Sequence, residues 1–420
     1  MIVSTQQADP PGQADPEAAA HSGPARWAPN QPVALHQLTY LEENGEVVVG
    51  RADIDSYGVF PPDGAALVRQ LAAGMPPALA ERWYSATYGE PVDMAEFLDT
   101  LSELQFLGDR DTAAARPVRW QRLGRWMFSP PAWACYGLVI AAAAGVMIAR
   151  PQLAPYPGNV VFTHYVTPLV LTLFVGQFPL ILLHESFHML AGRRLGLRTS
   201  LRVGRRLYFL VFETTMDGLV AVPRRRRYLP MLSGLLADLL VIAVLTLIAA
   251  ATVRPDGSLP LAGAVCLAFA FTTALRFAWQ FYLYLRTDVY YAAVTVLGCL
   301  DLQAAARRIL ANRVRRLLRR APADESLLHP RDLAVGRWYS WLMLAGYVFS
   351  LTTLAVAIIP VTWQILVITF ERFIHGGQSW WHIADSAIFL VLNLAQIVII
   401  LVVVLRSRRR RGTSPAQPAA

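Results

Sequence analysis

Long apolar runs alternate along this chain with arginine-rich segments, and that alternation limits the fold more than any other feature. A helix crossing a bilayer needs about 20 apolar residues. Six runs meet that requirement: Pro131–Ala149, Val166–Ala191, Leu229–Val253, Leu259–Leu285, Trp338–Ile359 and Ser386–Leu405. Beyond the fifth, Pro360 leads into further apolar residues up to Phe370, which read as a kinked continuation or an interfacial stretch. The chain-wide numbers agree, since 55% of its 420 residues are hydrophobic and only 16% are charged. The mean hydropathy of +0.38 is wrong for an ordinary soluble domain or a largely disordered chain.

The net charge of +9 comes entirely from arginine among the basic residues, because the chain contains no lysine. That bias points to a GC-rich coding sequence and hence a bacterial membrane. Arg116–Arg125 precede the first run, Arg193–Arg206 and Arg224–Arg227 lie between the second and third, Arg307–Arg320 between the fourth and fifth, and Arg408–Arg411 after the sixth. The alternate connections, 150–165, 254–258 and 371–385, are poor in arginine. Six spans with both termini cytoplasmic put every basic segment on one side. The predicted location is therefore the cell membrane, multi-pass, and nucleic acid is not an expected partner. Cys135, Cys266 and Cys299 all lie in or beside apolar stretches, so neither a disulfide framework nor a cysteine metal cluster is indicated.

Residues 1–33 are rich in Pro, Ala, Gln and Gly without apolar periodicity and read as a disordered tail, as do 412–420. The first segment lacks the basic and apolar regions of a secretory signal. Residues 34–112 read as a small soluble α/β unit. Leu38–Leu41 and Glu46–Val49 flank Asn44-Gly45, a hairpin signal. An extended piece at Tyr57–Phe60 and helical patterns at Ala65–Ala73, Ala78–Tyr88 and Val92–Phe106 follow.

The second apolar run ends in Leu183-His184-Glu185-Ser186-Phe187-His188-Met189. Residues four apart lie on one helix face, so His184 and His188 can hold one Zn²⁺. Glu185 is then placed to take a proton from water at that site. An ionisable residue inside a membrane costs on the order of 3 kcal/mol, and three within five positions call for a compensating role. A catalytic zinc site also needs a third protein ligand. Asp288, at the cytoplasmic end of the fourth run, and Asp238, inside the third, could both reach. Arg276 lies at a depth similar to Asp238, so these two read as a buried ion pair joining the third and fourth runs. Asp288 is the preferred ligand, and Asp238 the alternative.

His184–His188 followed by Ala191-Gly192-Arg193-Arg194-Leu195-Gly196 resembles the active-site helix of the site-2 protease family of intramembrane zinc metalloproteases. Leu232–Leu240 is similar to that family's small-residue segment. The family's third ligand is an Asp in an Asn-x-x-Pro-x-x-x-x-Asp-Gly pattern. Aligned on Asp288, this chain has Gln280, Leu283 and Val289 at the Asn, Pro and Gly positions. Asp288-Val289-Tyr290-Tyr291, with Met216-Asp217-Gly218 and Val222–Arg227, most resembles the branch of peptide zinc metalloproteases found with peptide-modification and export systems. Gly45–Asp109 resembles the PqqD-like fold, a winged-helix unit that binds leader peptides; Met94–Leu101 and Phe106-Leu107 match its last helix and closing turn.

The fold expected from residues and resemblance together is mainly α, a polytopic six-helix membrane protein with a small N-terminal α/β winged-helix-like domain. Residues 34–112 form the peptide-recognition unit and 113–411 the membrane metalloprotease domain. The expected activity is zinc-dependent hydrolysis of a peptide or membrane-protein substrate near the cytoplasmic membrane face. His184, His188 and Asp288 would bind the metal and Glu185 would act as the base. Peptide-modification or export proteins are candidate partners. The alternative is a catalytically inactive scaffold or accessory for peptide maturation or export; a metal transporter fits less well, because few other ligand-type residues lie in the apolar runs. Ala304–Arg320 reads as a basic amphipathic helix lying on anionic lipid. Leu201–Phe212 reads equally as strands near the site, offering an edge for substrate, or as a simple cytoplasmic connector.

Overall fold

The computed structural model describes residues 27–43, 45–51, 54, 56–108, 118–206, 209–326 and 328–358, together with 363, 367, 380, 381, 384, 385, 387–389 and 391. Most of the expected tail 1–33, all of 412–420, Asn44, Asp109–Thr112, Arg408–Arg411 and nearly all of the sixth apolar run lie outside the described residues. By backbone contacts the chain divides into two compact units, Met1–Ala132 with Glu185–Gly234, and Trp133–His184 with Leu235–Ala420. Both dividing points between the segments 133–184, 185–234 and 235–420 fall inside continuous helices.

The first unit begins with an antiparallel sheet, β1 (Thr39–Glu43), β2 (Glu46–Arg51) and β3 (Ser56–Phe60), in the order β1-β2-β3. Gly45 turns the β1–β2 hairpin at φ +82°, a conformation a Cβ disfavours. Alternation along β2 sends Val47 and Val49 into a core with Leu67, Leu71, Leu98, Leu101 and Phe106. The last five come from α1 (Pro62–Ala72), α3 (Met94–Glu103) and the segment after it; α2 (Pro77–Tyr88) adds Ala80 and Tyr84. Val48, on the other face of β2, is also buried, and the short turn Leu219–Ala221 contacts both β2 and β1. Glu43 pairs with Arg227 nearby.

The third helix is shorter than its periodicity predicts. Asp93 caps its start, accepting from the amides of Ala95 (3.0 Å) and Glu96 (3.1 Å), and Gln105 turns into positive φ at its end. The rest of the unit contains α4 (Gln121–Met127), the end of α6 (Val166–Arg194), the hairpin β4 (Arg198–Arg206) and β5 (Phe209–Asp217), and the start of α7 (Arg224–Thr252). Gly124 lets α4 approach α6: a Cβ there would meet the Leu190 carbonyl oxygen at 2.4 Å.

The second unit holds the apolar helices α5 (Pro130–Ala149), most of α6 and α7, α8 (Leu261–Trp279), α9 (Asp288–Leu297) and α11 (Pro330–Thr353), together with the basic helix α10 (Leu302–Leu317). Among the described residues five helices are long and apolar enough to cross a membrane, and six if the pair α9–α10, bent by 87°, counts as one broken span. The protein is thus mainly helical, with a small N-terminal sheet, and has the character of a multi-pass membrane protein. Residues 387–389 and 391 are the only described part of the expected sixth run.

The end of α8 departs from the apolar pattern, whereas α6 starts at Val166 as the pattern predicts. The fourth run continues to Leu285, but α8 stops at Trp279. Gln280 closes the turn there, its carbonyl accepting from Thr287 Oγ1 at 2.6 Å, and Arg286 adopts φ +55°, so hydropathy continues where the helix cannot. At the start of α6, the Asp385 carboxylate accepts from the amides of Val166 and Thr167, both at 2.9 Å. A remote side chain thus supplies the cap that the local sequence lacks.

Candidate metal centre

His184 and His188 occupy successive turns of α6, and Asp288 is the first residue of α9. All three are buried. Asp288 Oδ2 lies 3.2 Å from His184 Nε2, and one ligand atom from each of His184, His188 and Asp288 falls within 4.8 Å of the other two. This buried His-His-Asp group could hold a metal ion. Two imidazoles and a carboxylate suit a borderline divalent cation better than a hard, oxygen-seeking one.

The tautomer of His188 is fixed by its surroundings. Its Nδ1 lies 2.7 Å from the Pro230 carbonyl oxygen in α7. A carbonyl only accepts, so Nδ1 carries the proton and Nε2 presents its lone pair. The Ser233 hydroxyl donates to the same carbonyl at 3.1 Å.

His184 lies between two carboxylates. Asp288 faces Nε2, while Asp238 Oδ1 lies 3.1 Å from Nδ1. The same Asp238 oxygen accepts from Arg276 Nη2 at 2.6 Å and Nε at 3.1 Å. Arg276 is held in turn by Gln177 Oε1 at 3.2 Å and the Leu180 carbonyl at 3.4 Å. The expected ion pair between the third and fourth runs is therefore present, and the structure assigns the two candidate carboxylates to opposite edges of one imidazole.

Gln280 ties the loop before α9 to the cluster. Its Oε1 accepts from the Asp288 amide at 3.2 Å, and its Nε2 lies 3.5 Å from His184 Nε2. Glu185 is buried beside His184 on α6, and the Thr214 hydroxyl donates to its Oε2 at 2.7 Å. Thr214 belongs to β5, so the expected strands exist, though the hairpin runs from Arg198 to Asp217, beyond the predicted 201–212.

Sequence reasoning located the two histidines, Glu185, Asp288, Asp238 and Arg276. It missed Thr214, Gln177 and the Pro230 carbonyl. Gln177, a polar residue inside an apolar run, did carry a readable signal; a polar residue in an arginine-rich loop carries none of this kind, and a backbone carbonyl none in any sequence. Comparison of the chain with protein-family models, with curated proteins and with solved structures gives no match.

Proposed function

We propose that the protein is a membrane-embedded zinc metalloprotease of the site-2 type, cutting a peptide or membrane-protein substrate near the cytoplasmic face. The observation that carries this reading is the His184–His188–Asp288 cluster with Glu185 adjacent on the same helix. Ligands about 2.0–2.1 Å from a tetrahedral zinc stand about 3.3 Å apart, and the His184–Asp288 separation is 3.2 Å. Bound there, zinc supplies Lewis acidity toward a scissile carbonyl and acidifies water.

The chain's own groups divide the remaining work. Asp238 orients His184 from its far nitrogen and the Pro230 carbonyl orients His188, so both rings present Nε2. Thr214 fixes one oxygen of Glu185. The other oxygen takes the proton of the attacking water and returns it to the leaving amine. Among the described residues the β4–β5 hairpin is a two-stranded sheet, and an unwound substrate could add as a strand at one of its edges.

Residues 34–108 fit a peptide-capturing accessory unit of the PqqD-like, winged-helix kind, since β1 and β3 are both edges of a three-stranded sheet followed by three helices. Basic segments on the cytoplasmic side, with both termini there, follow from the arginine distribution.

The test compares membranes carrying the wild-type protein with membranes carrying Glu185→Gln. New peptide N-termini that depend on wild-type protein, and disappear in a variant that still binds about one zinc per chain, support proteolysis. Identical N-termini in the two membranes overturn it in favour of a non-catalytic scaffold.

A further inference from the structure

Away from the metal centre, α10, the connection after it and the first turns of α11 enclose a cleft of about 260 Å³ lined by Ile309, Asn312, Arg313, Arg316, Glu325 and Arg337. Its walls are held by specific bonds. Buried Asn312 donates through Nδ2 to the Ala323 carbonyl (2.9 Å) and to Glu325 Oε1 (2.6 Å), and its Oδ1 accepts from the Ala323 amide (2.8 Å). At the other end of the connection, Asp332 of α11 accepts from the amides of Leu300 and Asp301, each at 3.0 Å. The two helices are therefore tied at the head of α10 and again across the cleft.

The charge in the cleft is unbalanced. Three guanidiniums face one carboxylate, and that carboxylate is engaged by Asn312. Arg313 is fixed in place: it donates to Ser340 Oγ at 2.7 Å and to the Arg337 carbonyl at 3.0 Å, and stacks 4.4 Å from the centroid of the Trp341 ring. Arg316 and Arg337 are exposed and their side chains have no partner among the described residues. Two uncommitted guanidiniums beside a fixed third form a receptor for a phosphate-type anion.

The rim identifies the source of that anion. Leu317 is 83% exposed, and Val314, Leu318, Trp338 and Trp341 are exposed beside it. A site for a phosphate free in water has no use for such a surface. Acyl chains do, and tryptophan beside arginine is the pattern of a membrane interface. The cleft is also smaller than the about 300–1,000 Å³ of sites that enclose a whole small molecule. It has room for a headgroup whose tails remain outside.

We propose that this cleft binds the phosphodiester headgroup of an anionic lipid through Arg313, Arg316 and Arg337, with the acyl chains against the exposed faces of α10 and α11. The site is separate from the metal centre and does not depend on proteolysis.

The test measures binding of phosphatidylglycerol and of phosphatidylcholine to the purified full-length protein in detergent, by native mass spectrometry. Arg316→Gln with Arg337→Gln is expected to weaken phosphatidylglycerol binding roughly 30-fold, the equivalent of about 2 kcal/mol for two cations beside an anionic surface. Arg319→Gln with Arg320→Gln removes the same charge from exposed positions that do not line the cleft and is expected to leave binding within about threefold of wild type, because neither guanidinium belongs to the receptor. Equal losses in the two pairs, or no loss in either, would overturn the proposal. So would equally tight phosphatidylcholine binding. In a last arm, inorganic phosphate that displaces the lipid at equimolar concentration would assign the cleft to a free anion instead; failure to displace it supports the lipid.

Discussion

The Thr214 hydroxyl donates to Glu185 Oε2 at 2.7 Å, joining a strand of the β4–β5 hairpin to the carboxylate expected to move the proton. Both residues are buried, so a carboxylate deprived of this donor has lost a bond it cannot replace from solvent. Thr214→Val keeps the shape and removes the hydroxyl. Cleavage in membranes should fall about 10- to 100-fold, the range for lost outer-shell support, with zinc content unchanged. Thr214→Ser should retain most of the wild-type rate. Quantifying new peptide N-termini beside zinc per chain checks both.

Asp288 and Asp238 approach His184 from opposite nitrogens, at 3.2 and 3.1 Å, and the proposed zinc site therefore predicts different effects for the two carboxylates. Asp288→Asn should abolish stoichiometric zinc binding, because it removes a ligand. Asp238→Asn should keep the site but weaken zinc affinity about 10- to 100-fold, as an outer-shell change does. Competition with a chelator orders the variants, and the reverse order would show that Asp238 is the ligand.

In the N-terminal module, Tyr84 donates to Asp63 Oδ2. That bond holds the Asp63 carboxyl below its ordinary value of 3.8 and, as its largest cause, pushes the Tyr84 hydroxyl from 10.0 up to about 12. A depressed carboxyl stabilises the fold above pH ~4 and loses that contribution as pH falls through the folded value. A raised phenol stabilises it below pH ~10 and loses that contribution between pH ~10 and ~12. Tyr84→Phe should therefore flatten both the acid and the alkaline limbs of Tm against pH, with the largest loss of Tm between the two limbs and the smallest beyond them. Thermal melts of the two proteins across pH measure this.

Glu43 and Arg227 join the edge strand β1 to the start of α7. Arg227 also donates to the carbonyls of Val222 at 2.6 Å and Val220 at 2.8 Å. Arg227→Gln leaves Glu43 partly buried without its counter-charge and should cost about 2–3 kcal/mol locally. The expected readout is faster proteolysis between the sheet and α7, with zinc content preserved.

Much of this was legible in one dimension. Long apolar runs declare helices because lipid leaves backbone groups no other partner, and His184 and His188 share a face because a helix repeats every 3.6 residues. Boundaries were less legible. The apolar run that holds α8 extends past its end, since hydropathy registers lipid preference while the turn at Gln280 and Arg286 is a matter of hydrogen bonds and dihedrals. The bend of 87° between α9 and α10 has the same origin: Gly298 at positive φ and the Asp301 cap interrupt a stretch that carries no proline.

The sequence by itself determined the membrane character, the small N-terminal module and the identities of the groups that can meet a metal, because these depend on composition, period and residue chemistry. Tertiary structure alone decided their arrangement. It set Asp288 on one nitrogen of His184 and Asp238 on the other. It also brought Thr214 to Glu185 from 29 residues away and the Pro230 carbonyl to His188 from 42. Those are contacts between elements, and no local pattern encodes them, because the partner's choice depends on how separate helices and strands pack rather than on the propensity of either one.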